Sequence, residues 1–289
     1  MILEYKNSTG NVLSLTDNQY FFLINVDGQT SANADISSVV IGGIDGDTAN
    51  NVQAQPRSIS LDLKIKSGVD VELAKREILK VVKLKKNGEL IWTQNGKTVR
   101  ISGIVESVDM PRWENGVMMQ ITMHCEQPFW EDIDYIVQEI SEALSLHYFT
   151  DNPNDMLYFP EEGIPFGELD LVRTKSFFND GDVAVGVEIE IIAYGTVTNP
   201  IIYAADGKYF GVGYGTGNKQ VVMHQGDYII VTTHKGAKTV KLNGVSVIDK
   251  VKPNSTWLQL EAGENSFSIN SDEDFANVVF NMIYKQRYI

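Results

Sequence analysis

The sequence predicts a mainly β protein of the α+β class with two domains. A β-sandwich or split barrel carrying one packed helix is expected over residues 1–146, and a β-sandwich of jelly-roll type over residues 147–289. Three observations predict it. Ser58 to Lys66 alternates strictly, with Ile59, Leu61, Leu63 and Ile65 aliphatic and polar residues between them, the pattern of a half-buried strand. Val71, Ala74, Ile78 and Val81-Val82 fall at the three-and-four spacing of one helical face. From Pro165 onward, short apolar runs are separated by turn signals every ~8 to 12 residues, as in a sandwich or jelly roll.

In chain order, Leu13-Ser14-Leu15 and Tyr20 to Val26 are short strand candidates, closed by Asp27-Gly28. From Gln29 to Pro56 the composition turns to Ser, Ala, Asn, Asp and Gly around one apolar island, Asp35 to Gly43. A stretch this long with little regular patterning points to a projecting hairpin or arm. Past the 58–66 strand, Asp70 is the expected N-cap of the helix and Glu72 and Arg76 form a pair one turn apart. Lys80, Lys83, Lys85 and Lys86 crowd the carbonyl end of that helix, where cations suit the macrodipole, and Asn87-Gly88 supplies its stop.

Leu90-Ile91-Trp92, Asn95-Gly96 and Val99-Arg100-Ile101 read as a hairpin, because Asn-Gly readily takes the positive φ angles of a type I′ turn. Gly103 interrupts the alternation and reads as a bulge. The chain then runs to Val108, turns between Pro111 and Gly116, and returns through Val117, Met119, Ile121, Met123 and Cys125. Glu131 to Ser145 can be written as an amphipathic helix with Ile133, Ile136, Val137, Ile140 and Leu144 on one side. Residues 147–163, with Pro153 and Pro160 and few aliphatics, read as the connection between domains. Beyond it, Asp182 to Ile191 alternates most clearly, followed by Tyr228 to Val231, Thr239 to Leu242 and Phe267 to Ile269. A last strand, Asn277 to Tyr284, closes the sheet.

The formal charge of −14 is spread, at about −7 on either side of residue 146. Such a surface repels a phosphate backbone, so direct nucleic-acid binding is disfavoured, while DNA can pass an acidic channel without sticking. Cys125, the one cysteine, excludes an internal disulfide and a cysteine-rich zinc site, and it falls on the apolar phase of a strand as a small buried hydrophobe. Met1 to Lys6 has no apolar run after a basic start, and no stretch approaches the ~20 apolar residues of a membrane span. A protein made and kept in a cytosol, with no membrane contact, is expected.

Candidate chemistry is thin. Glu188 and Glu190 place two carboxylates on one strand face at about 7 Å, a separation of the glycosidase kind, against the simpler reading of a solvated strand face. Asp151, Asp155 and Glu162 fit positions of a calcium loop, but Pro153 occupies a ligand position and Met156 the place of the required glycine. Asp45-Gly46-Asp47 and Asp272-Glu273-Asp274 read as turns. The glycines from Gly211 to Gly217 lack the spacing and the Lys-Ser/Thr of a phosphate loop. His124, His147, His224 and His234 show no metal-ligand or catalytic spacing. Trp257, flanked by Leu258 and Leu260, is either core or a sugar-stacking platform. No catalytic residue, cofactor or metal is expected.

The order of motifs resembles the distal tail proteins of long-tailed bacteriophages, the siphophage tail-component family. In the first half the resemblance rests on Arg57-Ser58-Ile59-Ser60-Leu61, the helix ending Ile78-Leu79, Gly88-Glu89-Leu90, Val99 to Gly103, and Cys125-Glu126-Gln127-Pro128-Phe129-Trp130. In the second it rests on Asn179 to Asp182, the Gly195 to Pro200 turn, Gly226-Asp227-Tyr228, Thr239-Val240 before Asn243-Gly244, and Ser255-Thr256-Trp257 before Leu260, Gly263 and Asn265. Val185-Gly186 departs from the proline-rich entry of many relatives, and there is no large insertion of the sugar-binding kind.

The resemblance implies a non-enzymatic homo-hexameric ring at the virion tail tip, made in the bacterial host cytoplasm. Its N-terminal domains surround a channel for DNA, stacking on a tail-tube protein above and a tail hub or tail-associated lysin below. A C-terminal galectin-like sandwich projects outward and holds side fibres or receptor-binding protein. Within that expectation Val39, Val40 and Ile41 are the candidate oligomer interface, since they would otherwise stand exposed on a loop. The alternatives are a carbohydrate-binding surface protein acting through Trp257 or Tyr203, and a glycosidase using Glu188 and Glu190.

Overall fold

The computed structural model describes the chain except residues 31, 44, 111, 114–115, 140–141, 145–167, 171–173 and 274–276. The described residues form two compact units, Met1–Ile133 with Arg287–Ile289, and Asp134–Gln286. The connection expected at 147–163 lies wholly outside the described residues.

The first unit begins with β1 (Ile2–Asn7), β2 (Val12–Ser14), β3 (Phe21–Asp27), β4 (Ala34–Val39), β5 (Thr48–Ala54) and β6 (Arg57–Ile65). Helix α1 (Val71–Val81) precedes β7 (Asn87–Gln94), β8 (Lys97–Asp109), β9 (Arg112–Trp113), β10 (Gly116–Cys125) and β11 (Trp130–Asp132). The main sheet runs β2-β1-β7-β8-β10-β6-β3. Strand β6 behaves as its alternation dictates: Ile59, Leu61 and Leu63 are fully buried, opposite Met123, Ile121 and Met119 of β10. Across this face lies α1, which inserts Ala74 and Ile78 into the same core. Asp70 caps it, one carboxylate oxygen accepting from the amides of Glu72 (2.9 Å) and Leu73 (3.4 Å).

The helix ends earlier than expected. Val82 is already extended, and the Lys85 amide donates to the Val105 carbonyl while the Val105 amide donates to Lys86. The sheet claims these backbone groups, so Lys83, Lys85 and Lys86 lie beyond the helix, and Asn87-Gly88 opens β7 instead of stopping α1. Asn95 and Gly96 adopt the expected positive φ angles, 53° and 81°. Gly103 is not the bulge. It pairs squarely with Gly88, and the register slips between Thr122 and Met123, leaving Glu106 of β8 as the extra residue. Gly103 is small because a Cβ there would meet the Cys125 sulfur and the His124 carbonyl oxygen at 2.8 Å.

The helix expected over Glu131 to Ser145 is absent among the described residues of that span. Its residues belong to β11, β12 (Ile136–Glu139) and β13 (Glu142–Leu144). Strand β12 pairs with the strand Val278–Tyr284 and alternates in burial, half-buried at Ile136 and Gln138 and exposed at Val137 and Glu139. Pairing to a distant strand overrides a pattern that locally suits a helix equally well.

The second unit continues with β14 (Glu168–Asp170), β15 (Thr174–Asn179), β16 (Val185–Gly186), β17 (Glu188–Ala193), β18 (Val197–Thr198), β19 (Ile201–Ala204) and β20 (Tyr209–Gly211). Then come β21 (Val222–Met223), β22 (Tyr228–Thr232), β23 (Thr239–Leu242), β24 (Val245–Ser246), β25 (Gln259–Leu260), β26 (Gly263–Asn270) and β27 (Val278–Tyr284). One sheet runs β12-β27-β17-β22-β23-β24 and another β15-β26-β19-β20. Ile189, Ile191, Val231 and Phe280 of the first share one core with Phe177, Ile202, Phe210 and Phe267 of the second, the face-to-face packing of a sandwich. Strand β27 sits between β12 and β17, inside the sheet it was expected to close. The last strand, β28 (Arg287–Tyr288), belongs to the first unit and pairs with β11.

Candidate assembly site

Strands β4 and β5 form a hairpin that pairs with no strand of the main sheet. Their register sets Ile36 opposite Val52, and both are 61% exposed. Every described residue from Asn33 to Pro56 is exposed. Val39, Val40 and Ile41 follow at the end of β4, Val40 with 75% of its surface open. A two-stranded hairpin is marginally stable alone. This one spends five aliphatic side chains (Ile36, Val39, Val40, Ile41 and Val52) where they stay largely exposed.

The root of this arm is held firmly. Gly28 has φ +78°, and a Cβ there would stand 2.2 Å from the Ser58 carbonyl oxygen. Arg57, only 4% exposed, donates through Nη1 to the carbonyls of Gly28 (3.4 Å) and Gln29 (3.2 Å). Trp130 Nε1 donates to the Gln29 carbonyl at 3.1 Å. Arg57 Nε and Nη2 are buried with no acceptor among the described residues. Burial lowers the pKa of this guanidinium, and its register partner Cys125 is pushed up to about 11 by its own burial, so the thiol is no nucleophile near neutral pH.

Trp130 meets Trp92 edge-on, ring centres 5.6 Å apart. With Gln29, Lys97 and Tyr288 they line a cavity of about 380 Å³ beside the root. Lys97 Nζ lies 3.5 Å from the Tyr288 ring centre. Strand β11 is fixed there by Arg100, whose guanidinium bridges Glu131 and Glu89 at 3.0 Å each. The sequence reading missed this root because Arg57, Trp130 and Tyr288 meet only through long-range pairing. The one local signal was Arg57 following Pro56 at the start of an otherwise apolar strand face.

The enzyme candidates are not brought together. Glu188 and Glu190 are half-buried on β17, where their cross-strand partners are Thr232, Ile283, Ile230 and Asn281, none acidic and none aromatic. Glu190 accepts from Asn281 Nδ2 at 3.0 Å. No group of three His, Cys, Asp or Glu side chains able to hold a metal occurs among the described residues. Asp151, Asp155, Glu162, His147 and Asp274 lie outside them. Asp272 accepts from Asn199 Nδ2 at 2.7 Å, a structural tie across the loop, and Asp47 accepts from the Ser38 hydroxyl within the arm. The His224 amide donates to Asp227 Oδ2 in a turn. Trp257 is half-buried against the sandwich core, 4.9 Å from the Phe210 ring, and Tyr203 packs on Tyr209 at 5.9 Å. Both aromatic candidates are engaged with their own unit. No helix among the described residues is long and apolar enough to cross a membrane.

Two family models match the chain, a phage tail protein RIFT-related domain over residues 8–125 and a siphovirus-type tail component, C-terminal domain, over residues 180–288. Together they cover more than three quarters of it. No curated protein matches the sequence. Among solved structures, the chain is similar to the SPP1 Dit (gp 19.1) protein, described as a paradigm of the hub adsorption apparatus in phages infecting Gram-positive bacteria. The identity is 12%, all of both chains is covered, and the TM-score is 0.67, which shows a shared fold. A looser likeness, TM-score 0.43 at 13% identity over 100% of both chains, links it to a chain of the phage P2 baseplate in its activated, calcium-bound conformation. With both halves matched in chain order and the fold shared from end to end, the chain belongs to the siphophage distal tail proteins, structural components of the phage tail.

Proposed function

We propose that six copies of this chain form a non-enzymatic ring at the distal end of a phage tail, joining the tail-tube protein to a tail hub or tail-associated lysin and leaving a channel for DNA. The observation that carries this reading is the exposed aliphatic hairpin on a firmly held root, a surface that a neighbouring copy covers. The spread negative charge suits a channel through which DNA moves without binding. The sandwich, galectin-like in this reading, faces outward and holds receptor-binding protein. The hub role described for the SPP1 relative supports the same placement at the virion tail tip; synthesis in the host cytoplasm belongs to the same reading.

Deleting residues 35–44 and measuring mass in solution tests the arm's part. The intact chain is expected to assemble, with six-fold annuli in negative stain, and the deletion to stay monomeric with its melting transition retained. Equal assembly of both proteins would refute the role of Val39, Val40 and Ile41.

A further inference from the structure

We infer that the arm of one copy docks on the outer face of α1 in the next, an acidic aliphatic hairpin on a basic aliphatic helix. This rests on the ring reading and names the surface the arm meets. Residues 75–86 hold Lys75, Arg76, Lys80, Lys83, Lys85 and Lys86 with Glu77 as the one acid, a net +5 in a chain of net −14. The helix dipole accounts for Lys80 alone, the one basic residue of the last turn. Lys83, Lys85 and Lys86 stand past the helix, all exposed.

Among these cations the same surface exposes Leu73, Leu79 and Leu84. A groove of about 420 Å³ runs along it, lined by Glu72, Lys75, Arg76, Leu79, Lys80 and Lys83. The arm is its complement. Residues 29–56 contain Asp35, Asp45 and Asp47 and no Lys or Arg, beside the exposed Ile36, Val39, Val40, Ile41 and Val52. Each surface offers aliphatic area with a net charge, and the net signs are opposite.

Neither surface suits itself. Arm against arm, or helix against helix, sets like charges together, so a symmetric pair is disfavoured and a head-to-tail contact favoured. Head-to-tail contacts close into a ring where the rotation between copies divides a full turn, as it does in the six-fold ring proposed above. A strand of six residues reaches about 20 Å, enough to cross a helix of roughly 10 Å diameter on a neighbour.

The test uses the full chain with charges exchanged. Lys80→Glu with Lys83→Glu takes the charged lining of the groove (Glu72, Lys75, Arg76, Lys80 and Lys83) from a net +3 to −1, and Asp35→Lys with Asp45→Lys takes the arm from −3 to +1. All four residues are exposed, so each protein is expected to melt like the parent. Either pair alone is expected to weaken assembly at least tenfold by sedimentation at about 0.1 M salt. Placing all four changes in one chain restores assembly. So does mixing the two single-surface variants, one with both surfaces negative and one with both positive. Those two assemble only together, in alternation. A parent ring that survives reversal of the helix face, or charge-exchanged proteins that stay monomeric, overturns the docking and leaves the ring reading standing. Loss on helix reversal with no rescue by the arm places some other acidic protein on α1 and overturns it equally. A parent chain that never assembles overturns both.

Discussion

Replacing Gly28 by alanine separates two costs that are usually confounded. Its φ of +78° alone costs an L-residue about 1 kcal/mol. The added Cβ also meets the Ser58 carbonyl oxygen at 2.2 Å, where ordinary contact begins near 3.4 Å. Ser58 is held in β6 opposite His124, so the yielding partner is the arm root. Moving Gly28 and Gln29 away by the missing ångström breaks the Arg57 Nη1 contacts and the Trp130 Nε1 bond. Charged and neutral hydrogen bonds of this kind contribute roughly 1 to 3 kcal/mol each.

Gly28→Ala is therefore expected to cost about 4 kcal/mol. Gly10→Ala, at φ +88° with nothing within 4 Å, is expected to cost about 1 kcal/mol and serves as the matched control. Urea denaturation of the two variants side by side measures the difference, and limited proteolysis within residues 29–56 reports whether the arm has come loose at its root. If Gly28→Ala loses no more stability than Gly10→Ala, the root is not the rigid mount described above.

Two further outcomes are expected. Cys125 keeps its proton to about pH 11 when folded, while an unfolded thiol ionises near 9.0. The unfolded state thus loses a proton first, and stability, complete below about pH 9, falls by roughly 2 to 3 kcal/mol by pH 11. Cys125→Ala should remove that share of the decline, leaving the part due to Tyr5 and Tyr284, whose hydroxyls are also raised by burial. Identical alkaline slopes in parent and variant would count against it. Trp257→Ala is expected to cost about 2 to 4 kcal/mol through its lost packing on Phe210. A variant of unchanged stability that loses retention on a glycan array would revive the carbohydrate-binding alternative.

Where a physical rule acted locally, the sequence was legible. Ile59 to Ile65, the Asp70 cap and the Asn95-Gly96 turn each follow from two or three neighbouring residues, and the structure reproduces them. The exposed hairpin was legible as an absence of pattern, its strands β4 and β5 having no buried face to alternate against. What failed was set at a distance. Val137 and Ile136 suit a helix until β27 supplies a ladder, and Lys85 and Lys86 look like a helix end until Val105 takes their backbone groups. The arm root required Gln29, Arg57 and Trp130 together, 101 residues separating the first from the last, a conjunction that no local window contains.

The pairing of β28 with β11 has a consequence for how such chains diversify. Trp130 faces Tyr288 and Glu131 faces Arg287, so the polypeptide leaves the first unit and re-enters it on adjacent strands, about 5 Å apart. The whole span 134–286 is in effect one very long loop of a hairpin. Whatever occupies that loop can be enlarged, exchanged or cut out without moving either strand end, which lets one mounting part carry different attachments.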